Sequence, residues 1–176
     1  MATYQWKGAG YGLPIVGGGS IILQRKIDIP TIIAAGAKGG LALVATPNDG
    51  SALATTGFGA ADILEVFWVP KGTIVKKCGV YVITGEGGVA TIDIGVSSAT
   101  ETEDAADANG WLNDFDLQTA GVTGATTDAT LTMGDDAVPG GELYITNGSI
   151  DILFNTALTA VAVFVVWADV SWLDIT

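Results

Sequence analysis

Histidine is absent from this sequence, and cysteine occurs once, at Cys78. Together these facts remove His-based catalytic triads, the usual His/Cys zinc sites and intrachain disulfides. Cys78 lies in the strand-like run Val75-Lys76-Lys77-Cys78-Gly79-Val80. Two neighbouring lysines would lower the pKa of an exposed thiol, but the simpler expectation is a small core or surface residue. No G-x-S-x-G or S-x-x-K pattern supplies another nucleophile. A pair of carboxylates suffices for glycoside hydrolysis. Nineteen acids are available but none in a distinctive context, and only 8% of residues are aromatic to line a sugar cleft.

Two further chemistries meet the same obstacle. A calcium loop can be laid on Ala105–Asp116, with Asp107, Asn109, Gly110, Asn113 and Asp116 near ligand positions. Its first position is an alanine and its last is the shorter Asp rather than a bidentate Glu, so a hydrated acidic turn is the expectation. The glycine clusters Gly8-x-Gly10-x-Gly12 and Gly17-Gly18-Gly19 precede no Gly-Lys-Ser/Thr and sit in no strand-turn-helix context, so they are not phosphate cradles. No catalytic, cofactor or metal residue is assigned, and the expectation is a non-enzymatic protein with no cofactor.

Charge is distributed unevenly. All seven basic residues (Lys7, Arg25, Lys26, Lys38, Lys71, Lys76, Lys77) lie in the first 77 positions, where four acids leave a net +3; residues 78–176 hold fifteen acids and no base. With a net charge of −12 over 176 residues, the surface disfavours nucleic acid and anionic membrane. Solubility explains that asymmetry, and so would facing basic and acidic parts of neighbouring copies. There is no basic-then-apolar leader and no apolar run near 20 residues. The expectation is a soluble chain made in a reducing cytoplasm.

The elements that would position any site read as strands. Residues 1–20, rich in glycine but carrying Tyr4, Trp6 and Tyr11, read as an irregular N-terminal arm. Residues 21–176 read as one domain. Leu23, Ile27 and Ile29 alternate with polar neighbours up to Pro30. A shorter strand is expected at Leu41–Ala45, and residues 51–60 read as loop. Ile63–Val69, Thr73–Val75, Val80–Thr84 and Val89–Val96 read as a meander of neighbouring strands, joined by the turns at Pro70-Lys71-Gly72 and Gly85-Glu86-Gly87-Gly88. Residues 97–136 read as one long polar loop, in which Trp111, Leu112, Phe115 and Leu117 make a helical turn or an irregular strand. Leu143 and Ile145 alternate with Tyr144, and Asn147-Gly148 signals a hairpin into Ile150, Ile152 and Phe154. In the last strand Ala162, Phe164, Val166, Ala168, Val170 and Trp172 form a core face, and Val161, Val163, Val165 and Trp167 a second face that is apolar up to Asp169 and Ser171. Fold class follows as all-β: an antiparallel, jelly-roll-like sandwich.

Apolar surface beyond a one-domain core marks Trp111, Phe115, Val163, Val165 and Trp167 as an expected contact between copies. The aromatic arm and basic first strand, Tyr4, Trp6, Lys7, Tyr11, Arg25 and Lys26, are the expected docking contact with another protein.

The segments Val69–Val75, Val82–Gly95 and Asp107–Leu112 resemble small β-rich structural proteins of tailed-phage virions, among them capsid decoration (cement) proteins. That resemblance implies a virion protein on the outer capsid surface that binds the major capsid protein and forms a homotrimer. A tail or fibre component is the near alternative. The distant one is a carbohydrate-binding sandwich, whose aromatic platform would have to come from Trp68, Tyr81, Trp111 and Tyr144.

Overall fold

The structure is a computed structural model and describes residues 3–5, 20–37, 46–47, 58–96, 101, 107–125, 141–158 and 161–172. Among these, the elements in chain order are β1 (Thr3–Gln5), β2 (Ile21–Asp28), α1 (Ile29–Ala37), β3 (Thr46–Pro47), β4 (Ile63–Val69), β5 (Thr73–Thr84), β6 (Thr91–Val96), β7 (Asp107–Asp116), β8 (Thr123–Ala125), β9 (Glu142–Leu143), β10 (Gly148–Phe154) and β11 (Val163–Trp172). The strand expected at Leu41–Ala45 and the turn after Pro47 lie outside the described residues.

Two sheets pack face to face. One runs β3-β1-β4-β10-β6-β7, the other β2-β11-β5-β8, with β9 beside β5. Setting aside the short β1, β3 and β9, eight strands remain. In chain order the second sheet then reads first, eighth, third, sixth, and the first sheet second, seventh, fourth, fifth. All their pairings are antiparallel. This is the jelly roll, in which successive strands alternate between sheets except for the fourth and fifth, which pair with each other, and both inner faces fill one core.

The core follows the alternation of the sequence. Phe164, Val166, Ala168 and Val170 of β11 are fully buried, as are Val80 and Val82 of β5, Ile92 and Ile94 of β6, and Ile152 and Phe154 of β10. Phe58, before β4, stacks on Phe154 with ring centroids 4.4 Å apart. Glu86 accepts hydrogen bonds from the Val161 and Ala162 amides at 3.3 and 2.8 Å and so holds the entry to β11.

Four expectations are corrected. First, β4, β5 and β6 are not a meander, because β5 lies in the opposite sheet. The turn between β4 and β5, closed by Thr73 N–H to Pro70 O at 3.1 Å with Gly72 at φ 86°, is tied to a different segment. Gly72 N–H donates to Tyr144 O at 2.8 Å and Lys71 N–H to Asn147 Oδ1 at 3.0 Å. Second, Asn147-Gly148 makes no type I′ hairpin. Neither residue has positive φ, and the segment crosses from β9 in one sheet to β10 in the other. Tyr144 consequently faces inward, fully buried, its hydroxyl donating to Ser149 O at 2.7 Å. Burial, reinforced by the charge of Asp151, pushes that phenol well above its ordinary pKa. Third, the segment 97–136 is not a single loop: β7 pairs with β6 and β8 with β5. Fourth, part of the arm is a strand, with β1 paired to β3 and, in parallel, to β4.

Helix α1 was not expected either, and its signals are local. Asp28 caps it, accepting from Thr31 N–H at 3.1 Å. Pro30 is tolerated in a first turn, which needs no intrahelical amide donor. Ile29, Ile32 and Ile33 bury one stripe. Burial raises the pKa of Asp28, but hydrogen bonds from the Thr31 amide and side chain and from Lys26 outweigh it, so the carboxyl lies below its ordinary 3.8. Replacing Asp28 with alanine should cost about 1 kcal/mol at neutral pH. Because the folded-state pKa is depressed, that contribution is complete above the unfolded value of 3.8 and fades as pH falls through the folded one. Urea unfolding of both proteins between pH 7 and acid conditions should show the two curves converging at low pH, and a gap that persists would contradict the cap.

Candidate functional site

The outward surface of the β2-β11-β5-β8 sheet is the most site-like feature among the described residues. Strand β11 runs along its middle. Val163 sits between Asp28 and Thr84, Val165 between Lys26 and Tyr81, Trp167 between Gln24 and Gly79, and Asp169 between Ile22 and Lys77. Their side chains point away from the core because their neighbours 164, 166, 168 and 170 are buried in it. Around them Ile22 (53%), Tyr81 (45%), Ile83 (44%), Val122 (37%) and Val161 (47%) are exposed. The Trp167 indole lies on Gly79: a Cβ there would stand 2.5 Å from its ring carbons and 2.6 Å from Gly124 O. Glycine at 79 is therefore what lets the indole lie flat across the sheet.

The expected contact residues divide. Val163, Val165 and Trp167 occupy this outward face. Trp111 (6% exposed) and Phe115 (1%) do not: they project from β7 into the protomer's own core, so the apolar area that suggested an interface is already covered. Ile22, Tyr81, Ile83 and Asp169 join the face without having been singled out for it. Period-two alternation on β2 and β5 was the available signal, but it becomes readable only once both strands are known to flank β11.

The expected docking residues divide as well. Lys26 lies on the same outward face, 3.1 Å from Asp28. Arg25 points the other way. Its Nη1 donates to Val66 O on β4 at 2.7 Å, and its guanidinium stands 5.8 Å from the centre of the Phe67 ring. Arg25 thus clamps the two sheets together, and its assignment to docking is corrected: adjacent residues of a strand face opposite ways. Tyr4 lies in β1, while Trp6, Lys7 and Tyr11 lie outside the described residues. The expected arm is anchored at both ends, by the pairing of β1 and by Lys76 Nζ, which donates to Ser20 Oγ at 2.7 Å.

The candidates for catalysis are held in structural roles. Cys78 is fully buried on the inner face of β5, and burial drives its thiol far above the range in which a thiolate forms. Asp93 and Asp114 come together through Asn155, whose Nδ2 donates to both at 2.6 and 2.9 Å; Asp93 also accepts Asp114 N–H at 2.7 Å. These contacts pin the turn in β7 where Asp114 has φ 52°. Residues 107–116 are an extended strand rather than a calcium loop, and no group of three or more potential ligands is found among the described residues. The four aromatics of the carbohydrate reading do not form a platform. Trp111 and Tyr144 are buried, and the exposed Trp68 and Tyr81 belong to different sheets. No helix among the described residues is long and apolar enough to cross a membrane.

No protein-family model matches the chain, and no curated protein matches it. Solved structures do. One chain of the capsid of Ralstonia phage GP4 is similar over 98% of this chain and 100% of its own length, at a TM-score of 0.57 and 14% identity. A chain of the cyanophage Pam1 capsid asymmetric unit is similar over 94% of each chain, at a TM-score of 0.47 and 16% identity. Both neighbours are chains of phage capsids, and at these identities the likeness is one of fold.

Proposed function

We propose that this chain is a non-enzymatic structural protein of a tailed-phage virion, a cement protein that binds the major capsid protein on the outer surface of the particle after synthesis in the host cytoplasm. The observation that carries this reading is the match, from end to end of both chains, to a chain of the Ralstonia phage GP4 capsid. A jelly roll supports many functions. What supports this reading is that the likeness extends over the whole sandwich, 98% of this chain and 100% of the capsid chain, and is not confined to one sheet.

The rest of the molecule supports the reading. Its thiol and its best-connected carboxylates serve the fold, and among the described residues it presents an apolar sheet face suited to protein contact. Fifteen acids and no base after residue 77 would keep the solvent side strongly negative. Docking falls to Tyr4, Trp6, Lys7 and Tyr11 of the N-terminal segment, together with Lys26 of the first long strand. Self-association belongs to the same reading, and the family resemblance implies a trimer.

Mass spectrometry of purified virions of the encoding phage should return the chain in fixed ratio to the major capsid protein, in full heads as well as in intact particles. Recovery only with tails would move it to the tail or fibre. Absence from particles would refute a virion role. Purified protein added to heads that lack it should sediment with them and raise their resistance to heat.

A further inference from the structure

We infer that Trp167 and Tyr81, on the outward face of the β2-β11-β5-β8 sheet, form a carbohydrate-binding platform whose rings stack against the C–H faces of an uncharged sugar chain. Nothing in this depends on the virion role.

The geometry of Trp167 carries it. The residue is half-buried, and the way it is buried decides what it can bind. Its indole leaves β11 and passes over Gly79 of β5 toward Gly124 of β8. A Cβ on Gly79 would stand 2.5 Å from both Cε2 and Cζ2 of the indole, and 2.6 Å from Gly124 O. One face of the ring is thus laid on glycine backbone, and the opposite face is turned outward. Tyr81, 45% exposed, stands two positions after Gly79 on the same side of β5, opposite Val165. It is therefore the diagonal neighbour of Trp167, a relation that sets two residues about 7–8 Å apart, within reach of aromatic side chains. One run of sugar rings can lie along both. Of the four aromatics first considered for a sugar site, only Tyr81 belongs to this pair. Trp167 joins it because β11 pairs with β5.

Polar groups border the pair. Gln24 lies opposite Trp167 on β2, Thr123 opposite Tyr81 on β8, and Lys77 two positions before Gly79 on β5. All three are exposed, and no hydrogen bond or ion pair of their side chains is found among the described residues. An apolar plane edged by a carboxamide, a hydroxyl and an ammonium matches a pyranose, which carries C–H bonds on its faces and hydroxyls around its rim.

Two other occupants fit less well. The bases of single-stranded nucleic acid also stack on aromatic platforms, but their phosphates need a basic groove. This chain carries −12 and would repel them, whereas an uncharged glycan meets no such repulsion. Protein contact suits the apolar end of the face, at Val163 and Ile83. A protein anchors itself through side chains that fill pockets, and a flat indole offers a plane instead.

Titration of the full-length protein with hexasaccharides of glucose, mannose, galactose and N-acetylglucosamine, followed by tryptophan fluorescence and calorimetry, tests the platform. At least one should bind and change the indole emission, with an affinity indifferent to added salt. Trp167→Ala and Tyr81→Ala should each weaken binding by about tenfold or more. Tyr81→Ala, at an exposed position, should leave the circular dichroism spectrum unchanged, so a loss of fold at position 167 cannot decide the matter. Trp167→Phe, which keeps a flat ring, should weaken binding less than Trp167→Ala. Trp68→Ala, on the other sheet, should have no effect. No binding to any of the four at millimolar concentration would overturn the inference, as would binding unchanged by Tyr81→Ala. So would binding only to an acidic polysaccharide such as alginate that salt abolishes, or a dimer that Tyr81→Ala dissociates and no sugar recognises. None of these results bears on whether the chain is found in virions.

Discussion

Phe154→Ala should cost about 3–5 kcal/mol, the range for removing a fully buried phenyl ring. Phe154 ends β10, the strand between β4 and β6, and has no exposed surface. Its ring stacks on Phe58 at 4.4 Å and 19°, and its backbone holds the segment before β4: Ala61 N–H donates to Phe154 O at 2.7 Å, and Phe154 N–H to Asp62 O at 3.0 Å. Truncation would therefore open a cavity where a loop is tied to the sandwich, and Phe58 would lose the partner that keeps it from water. Against a total stability of 5–15 kcal/mol, this lowers the melting temperature by roughly 10 °C in a domain of this size. Phe154→Leu keeps most of the volume and should cost no more than about 1.5 kcal/mol. Thermal unfolding followed by circular dichroism separates the two. An alanine variant within 1 kcal/mol of wild type would mean that Phe58 repacks into the space.

What could be read in advance was the side of each strand, where one strand carried enough residues to set its own phase. β11 shows this best. Five alternate apolar positions, Ala162 to Val170, mark the core face, and the same count places Val163, Val165 and Trp167 outward. β6 was legible for the same reason, and so was the jelly-roll class, whereas the nearly continuous apolar run of β4 showed a strand but not its side. Strand partners were not legible. The tight turn at Pro70–Thr73 looks like a hairpin from its own residues, and only its hydrogen bonds to Tyr144 and Asn147, more than 70 positions on, reveal a crossing between sheets. β9 failed because two residues cannot set a phase, so Tyr144 was placed outside. α1 was overlooked although Asp28, Pro30 and the isoleucines at 29, 32 and 33 carry the local signature of a capped helix.

The candidate surface was half legible for a related reason. An outward apolar residue is visible along a strand, but a patch is a property of neighbouring strands. Lys26 and Tyr81 flank Val165 only because β2 and β5 both pair with β11. The same dependence misplaced Arg25. Charge predicts solvent, whereas parity put Arg25 between the sheets, where Val66 O receives it. Trp111 and Phe115 failed conversely: a polar stretch hid a strand whose bulges against β6 turn both aromatics into the core.

Glycine shows how one residue type answers to two different constraints, and to none, within four positions, and it supplies the other large effect. Gly85→Ala should cost about 3 kcal/mol, the upper part of the range for forced overpacking. Gly87→Ala should cost about 1 kcal/mol, and Gly88→Ala should stay within about 0.5 kcal/mol. All three sit in the connection from β5 to β6, and the sequence presents them as one turn signal. Only Gly87 has positive φ, at 80°, and an added Cβ there meets nothing within 4 Å, as at Gly88. At Gly85 a Cβ would run into the Gln118 carbonyl oxygen and stand 2.7 Å from the carbonyl carbon. That contact is with backbone, so no side chain can swing aside. Nor can the backbone yield easily, because Glu86 N–H donates to Leu117 O at 3.1 Å and Gly121 N–H to Val82 O at 2.8 Å on either side of it. Guanidinium unfolding of the three variants should rank them 85, 87, 88, and an equal cost at 85 and 88 would show that the two connections are not held together.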